Sequence, residues 1–221
     1  MKKITALLTL SILFLIGCTQ TTKQQEILID DKVEIETFWV WFENHADELY
    51  EFENNQDQLF EELSTELKKV DDNLTFEFGM VQENYTREFI ISADGITSSF
   101  PVVKRLHAAA PKLKDWVITA FRPRIGTEFS INYSGIEVNG QRMKFSYLSF
   151  ENEIDLKLFI PNYDSDDERY IGAAFIMLDN ALGEYDVETK LGEIEFLHVP
   201  SDTTDLLPFS ELPGVVDGLI N

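Results

Sequence analysis

Residues 74–121 read LTFEFGMVQENYTREFIISADGITSSFPVVKRLHAAAPKLKDWVITAF, and this stretch decides the fold. Leu74, Phe76, Phe78 and Met80 alternate with smaller or polar residues, the period of two that marks a half-buried strand. Asn84-Tyr85 turns the chain into a second strand through Phe89, Ile91 and Ala93, and Asp94-Gly95 stops it. Ser98-Ser99 supplies N-cap candidates, and Pro101 suits the first turn of a helix. That helix sends Phe100, Val103, Leu106 and Ala110 inward and ends at Pro111. A third strand follows over 116–121.

Working outward, the same order recurs downstream. Strands near 127–133 and a hairpin turning at Asn139-Gly140 lead to strands over 143–150 and 154–160. An acidic turn over 164–168 opens a helix with Ile171, Ala174, Phe175, Leu178 and Leu182 on its apolar face. Gly183 suits its C′ position, and a strand over 193–199 comes next. Strand–strand–helix–strand therefore occurs twice, over 74–121 and 143–199, without residue-level identity between the copies. Residues 208–221 read as a short helix or a strap over the body. Upstream, Ile35, Phe38, Trp39, Phe42, Ala46, Leu49 and Tyr50 make one stripe of a helix over 34–53. Asn54-Asn55 breaks it, and Asn55 with Gln58 resembles a capping box opening a second helix. Its buried face is Leu59, Phe60, Leu63, Leu67 and Val70, and the two helices should pack as a hairpin. The expected class is α+β: an N-terminal helical hairpin followed by two ββαβ-like units in mainly antiparallel sheet, with the folded domain over 34–207.

The N-terminus reads as an address. Lys2 and Lys3 precede an apolar run over 4–16 that is shorter than the ~20 residues of a spanning helix. The run ends Leu15-Ile16-Gly17-Cys18 and turns polar at once. This ending resembles the lipobox of bacterial lipoproteins. The resemblance implies a signal peptide over 1–17, acylation of Cys18 and stable anchorage in a bilayer. Residues 18–33, polar and without a periodic apolar face, read as a coil-like lipidated tether. The folded domain would then sit in the cell envelope outside the cytoplasm, with an outer membrane or the exterior face of a single membrane both open. The alternative is an ordinary secretory signal whose cysteine is accidental. Because Cys18 is the one cysteine, the folded part has neither a disulfide nor a cysteine metal site.

Charge excludes a further class. The chain carries a formal −22, and removal of residues 1–17 would make it −24. Such a surface repels nucleic acid and anionic headgroups, so no nucleic-acid partner is expected. With 44% hydrophobic and 12% aromatic residues the chain has ample material for a core.

Catalytic signatures are missing from the sequence. His45, His107 and His198 fall in three different elements with no ligand spacing between them, and HExxH, Gly-x-Ser-x-Gly, Walker and Gly-x-Gly-x-x-Gly patterns do not occur. No catalytic residue, metal or cofactor is assigned on this basis. Asp164, Asp166, Asp167 and Glu168 could offer oxygen ligands to calcium, but the loop lacks the glycine and distal glutamate of an EF-hand, and capping of the helix is favoured. One stretch runs against the global charge: Arg87, Lys104, Arg105, Lys112, Lys114, Arg122 and Arg124 stand against Glu88, Asp94 and Asp115. Two readings follow. In one, Arg105, Arg122 and Arg124 form an anion or partner site, with Pro123 fixing the backbone between two guanidinium groups. In the other, which is favoured, these cations pair with carboxylates of the acidic helix hairpin. Trp41 lies off the first helix's apolar stripe, as a partner anchor or an irregular core contact.

Ile90-Ile91-Ser92-Ala93-Asp94-Gly95, Phe100-Pro101, Ala109-Ala110-Pro111 and the run from Trp116 to Pro123, after Phe38-Trp39-Val40-Trp41-Phe42, carry a resemblance. Together they resemble a module of uncharacterised bacterial proteins with an ISADG…FP…AAP…W…AF.P pattern. Lys114-Asp115-Trp116 departs from the Gly-Trp of that pattern. The resemblance implies a shared fold and transfers no catalytic residue. The functional expectation is an envelope lipoprotein with a non-enzymatic protein- or peptide-binding domain. The alternatives are a small hydrolase or transferase and an acidic antagonist of a basic protein.

Overall fold

The computed structural model describes residues 14–219, with side chains from residue 31 onward. The first thirteen residues of the expected signal peptide and the side chain of Cys18 lie outside the described residues. Among the described residues no helix is long and apolar enough to cross a membrane. The chain divides into two units, one ending at Asp72 and one beginning at Asn73.

The first unit is the helical pair. Helix α1 spans Phe14–Tyr50, a 3-10 turn covers Phe52–Asn54, and α2 spans Gln56–Val70. The helix expected from residue 34 thus extends back to Phe14, and residues 18–33 are helical where their lack of an apolar face had suggested coil. No glycine or proline interrupts 18–50, and Gln, Glu, Lys and Leu all suit a helix. An aperiodic stretch signals the lack of an apolar face, which is not the lack of a helix. Phe38, Trp39, Phe42, Leu49, Leu59, Leu63 and Leu67 are buried as expected, and α1 packs on α2. Phe38 and Trp39 meet edge to face at 5.0 Å. The capping box does not form as expected: Asn55 donates through Nδ2 to Gln58 Oε1 at 2.9 Å and makes no side-chain bond to the helix backbone.

The second unit holds the strands. Strands β1 (Thr75–Phe78) and β2 (Arg87–Ser92), helix α3 (Phe100–Ala108) and strand β3 (Trp116–Ala120) form the first ββαβ motif. Its sheet order is β1-β2-β3, antiparallel and then parallel. A hairpin of β4 (Ser130–Tyr133) and β5 (Ile136–Asn139) follows. Its turn is Ser134-Gly135, both at positive φ, and Asn132 Oδ1 accepts from Gly135 N–H at 3.1 Å. Asn139-Gly140, expected as the hairpin turn, instead opens a 3-10 turn with Asn139 as N-cap, its side chain accepting from Gln141 N–H. Glycine is required there by contact: a Cβ at Gly140 would lie 2.0 Å from the Thr127 carbonyl oxygen.

The second motif is β6 (Lys144–Ser149), β7 (Ile154–Ile160), α4 (Arg169–Leu182), α5 (Glu184–Lys190) and β8 (Leu191–His198). Its sheet order is β8-β7-β6-β9, with β9 (Leu207–Pro208) closing the edge. Among the described residues only β2–β3 and β7–β8 are parallel, so the protein is α+β with mainly antiparallel sheet. Ile154, Leu156, Leu158 and Ile160 bury one face of β7 with period two. They pack under Ala173, Ala174, Met177, Leu178, Ala181 and Leu182 of α4. That stripe is rotated from the expected one. Ile171 is half-buried and Phe175 is 40% exposed, because the alanines rather than the phenylalanine sit where the helix approaches the sheet. The C-terminal segment belongs to the same core: Phe209, together with Leu212 and Val216 of α6 (Leu212–Asp217), is fully buried.

Candidate functional site

Parallel pairing puts the carboxyl ends of β2 and β3 at the same edge of their sheet, so the loops that leave them meet. After β2, the turn Ala93-Asp94-Gly95-Ile96 is closed by Ile96 N–H donating to Ala93 O at 2.9 Å. Asp94 and Gly95 both have positive φ, and Ser92 Oγ accepts from Asp94 N–H. After β3, Phe121 also has positive φ, which is costly for a bulky side chain and needs support from its surroundings. The support is visible. Phe121 is buried, its ring lies 4.6 Å from Phe100 and 5.1 Å from Tyr185, and its N–H donates to Ile91 O.

Glu184 of the second motif locks both loops. It is 1% exposed, and its carboxylate accepts from three backbone N–H groups. Oε1 takes Ala93 N–H at 3.1 Å and Gly95 N–H at 3.2 Å, and Oε2 takes Arg122 N–H at 3.1 Å. Glu184 N–H in turn donates to Arg122 O. This approach needs the preceding glycine. Gly183 has φ 79° and ψ 150°, a conformation nearly confined to glycine, and a Cβ there would lie 3.1 Å from Arg122 O.

Arg122 leaves this junction into a nest of acids. Its guanidinium donates to Asp94 Oδ1 at 3.0 Å and lies 3.3 Å from Asp179 and 3.6 Å from Glu77. Burial pulls its pKa down, but the bond to Asp94 and the charges of Glu184 and Asp179 outweigh this and hold it above its ordinary value. Asp179 is held above the usual carboxylate range by burial first. The Arg122 charge offsets that only in part, while Glu184, Asp94 and Glu77 add to it. Glu188 is raised too, by burial and then by Asp179 and Glu184. Arg124 donates through Nε to Leu182 O at 2.7 Å and pairs with Asp186 and Asp217 at 2.5 and 2.8 Å.

Arg122 and its partners Asp94, Asp179 and Glu77 border a cleft of about 580 Å³ between the first motif and α4. Glu77, Glu88, Asp94, Arg122 and Asp179 give it its charged groups, and Thr119 Oγ1 donates to Glu88. Its apolar surface comes from Phe78, Ile90, Ile125, Phe175 and Ile176. Ile125 is 78% exposed and Ile176 37%, an unusual amount of aliphatic surface to leave open on one small concavity.

The expected site residues separate in the structure. Arg122 lines the cleft, Arg124 is tied to the α4–α5 junction and α6, and Arg105 is half-buried on α3 outside the cleft lining. Carboxylates do hold Arg122 and Arg124, as one reading expected, but Glu77, Asp94, Asp179, Asp186 and Asp217 all belong to the second unit rather than to the helix hairpin. His107 bonds through Nε2 to Ile118 O, and His45 bonds to Trp41 O with its ring stacked on Trp41 at 4.4 Å. Asp167 accepts from Arg169 N–H at the start of α4, whereas Asp164 accepts from Asp166 N–H within the turn and the N-cap residue Glu168 makes no side-chain bond to the helix. Sequence reading missed Glu184, Asp179 and Glu188. The only local signal was Gly183 followed by a charged residue, whose partners lie 62 to 91 residues upstream. Compared with family models, curated proteins and solved structures, the chain matches none.

Proposed function

We propose that the protein is an envelope lipoprotein, held on a bilayer through acylated Cys18, whose second unit binds a protein or peptide partner without transforming it. The cleft carries this reading. It combines exposed Ile125, Phe175 and Ile176 with a carboxylate rim on two motifs that Glu184 locks together, which is a preorganised binding surface. The Leu15-Ile16-Gly17-Cys18 ending supports the anchor, and the acidic surface disfavours nucleic acid and anionic lipid as occupants.

The Asp94–Arg122 contact in the cleft favours a second reading, a small hydrolase or transferase. A carboxylate oriented by a guanidinium beside Asp179, whose proton is held tightly, is a usable acid–base arrangement. No histidine stands among the cleft-lining residues to serve as a base.

The test is made in cells. The native protein and a Cys18→Ser form are fractionated, each with a photo-crosslinking amino acid at exposed Ile125. The native form should sediment with membranes and give a discrete crosslinked adduct, and Cys18→Ser should be released from membranes. Both forms remaining soluble inside the cell would overturn the anchor, and an Ile125 probe that reacts only with water would overturn the binding site.

A further inference from the structure

If the cleft is the binding site, as just proposed, its chemistry also selects the occupant. Asp94 and Glu77 pair with Arg122, yet their side chains remain 70% and 51% exposed, whereas the Arg122 side chain is 23% exposed. A carboxylate has about four acceptor positions. Each of these two makes at most one or two contacts to Arg122, so acceptor capacity faces the cleft. The guanidinium is meanwhile shared among Asp94, Glu77 and Asp179. The cleft therefore holds more negative charge than its one cation neutralises. A second cation fits there, and an anion would meet repulsion. Beside these acids, Ile125 and Phe175 offer apolar surface that no charged ligand alone would cover.

We propose that the occupant is a peptide segment of a partner protein in which a lysine or arginine stands between apolar side chains. The cation lies on Asp94 and Glu77, and the apolar neighbours cover Ile125 and Phe175. Charge complementarity selects this occupant over the others. A second copy of a chain at −22 is repelled, as is an anionic headgroup. The chain's own C-terminal segment is committed to the core through Phe209, Leu212 and Val216. Arg122 acts as a resident counter-ion to Asp94, Glu77 and Asp179.

The experiment uses the detergent-solubilised full-length protein and a fluorescein-labelled peptide, Leu-Lys-Leu-Gly-Leu-Lys-Leu, read by anisotropy in low and moderate salt. Replacing both lysines by norleucine should weaken binding by about tenfold or more, and raising salt should weaken the lysine peptide alone. Asp94→Asn with Glu77→Gln should cost about tenfold, while Asp57→Asn with Glu61→Gln on α2 removes the same charge with little effect. Asn suits the positive φ of Asp94, so the turn survives. Phe175→Ala should cost about fivefold for the peptide and nothing for spermidine, a free polyamine that tests the cation alone. Equal binding of the norleucine peptide, or indifference to the Asp94 and Glu77 changes, overturns the inference. Equal loss from the α2 pair points to the acidic hairpin and overturns it as well. An Ile125 adduct without any lysine preference removes the inference and leaves the binding function standing. Failure of both adduct and peptide removes both.

Discussion

The two ββαβ motifs share an architecture and treat the same edge in opposite ways. In each, the second strand runs parallel to the third, and a positive-φ Asx residue follows the second strand by two positions: Asp94 after β2 and Asn162 after β7. At the second motif the acids beyond the strands satisfy their own loops. Asp167 accepts from Arg169 and Asp202 from Thr204, and both are held below the usual carboxylate range, chiefly by those side-chain bonds. At the first motif, Glu77 and Asp94 of the motif itself are joined by acids from elsewhere. Asp179, Glu184 and Glu188 all arrive from α4 and α5, and burial raises Asp179 and Glu188. One edge is closed on itself by local hydrogen bonds. The other is completed in trans by its sister motif and keeps an open cleft. Duplicated architecture therefore does not imply duplicated edges, and the long-range carboxylates mark the motif whose edge keeps an open cleft.

The largest effects should come from asking whether the motifs unfold together. Phe89 and Phe145 are fully buried, one in each sheet. Each Phe→Ala change should lower stability by about 3–5 kcal/mol. If Glu184 couples the motifs, both changes shift a single denaturation transition of the second unit. Separate transitions for the two variants would break the comparison by showing independent motifs. Next comes Glu184 itself. Glu184→Ala strands three N–H groups, that of Ala93 buried and those of Gly95 and Arg122 part-buried, and should cost about 3 kcal/mol in urea unfolding. Glu184→Gln keeps one acceptor oxygen and should cost less. Equal losses for the two would mean that packing rather than hydrogen bonding holds the junction. Gly183→Ala should cost about 1–3 kcal/mol from backbone strain, with Arg122 O in the way of the new methyl group. A neutral result would show that the junction relaxes easily.

What the sequence made legible follows the range of the interactions. The class, the helical pair, both ββαβ orders and most inward positions are local in origin. They rest on period, turn residues and breakers, and they are visible in stretches such as 74–121. Errors arose where a local signal had a rival. Asn139-Gly140 is a strong hairpin dipeptide, but Ser134-Gly135 lies nearer the middle of the paired strands and takes the turn. Phe175 fits an apolar stripe as well as the alanines do, and only the distance to the sheet decides between them. Helix α5 was missed because Gly183, a sound stop for α4, hides a second start one residue later. The site was least legible. Arg122 and Arg124 stood out because they contradicted the global charge, but their partners are chosen by the docking of two motifs. Nothing within twenty residues of Arg122 points to Asp179 or Glu184.

The smallest expected effect is also the sharpest on the contrast between the two edges. A carboxyl group whose folded pKa is raised stabilises the fold while protonated, and that contribution disappears as pH rises through the raised value. A lowered group does the reverse, losing its contribution as pH falls through its depressed value. From neutral pH down to the ordinary carboxylate range, Asp179 and Glu188 take up protons and the second unit should gain stability. Below that range Asp167, Asp202 and Asp217 protonate and stability should fall. Asp179→Asn removes a charge that the fold disfavours and leaves Arg122 with Asp94 and Glu77. It should raise stability slightly at pH 7 and flatten the rise toward pH 5 in denaturant titrations. Glu137→Gln, at the exposed position of β5, removes the same charge from the same acidic chain and controls for general repulsion. A loss of stability at pH 7 with an unchanged pH profile would mean that the 3.3 Å pairing with Arg122 outweighs burial. The first motif's edge would then be held by the same kind of favourable ion pairing as the second, and the cleft would lose its claim to be the one kept under electrostatic tension.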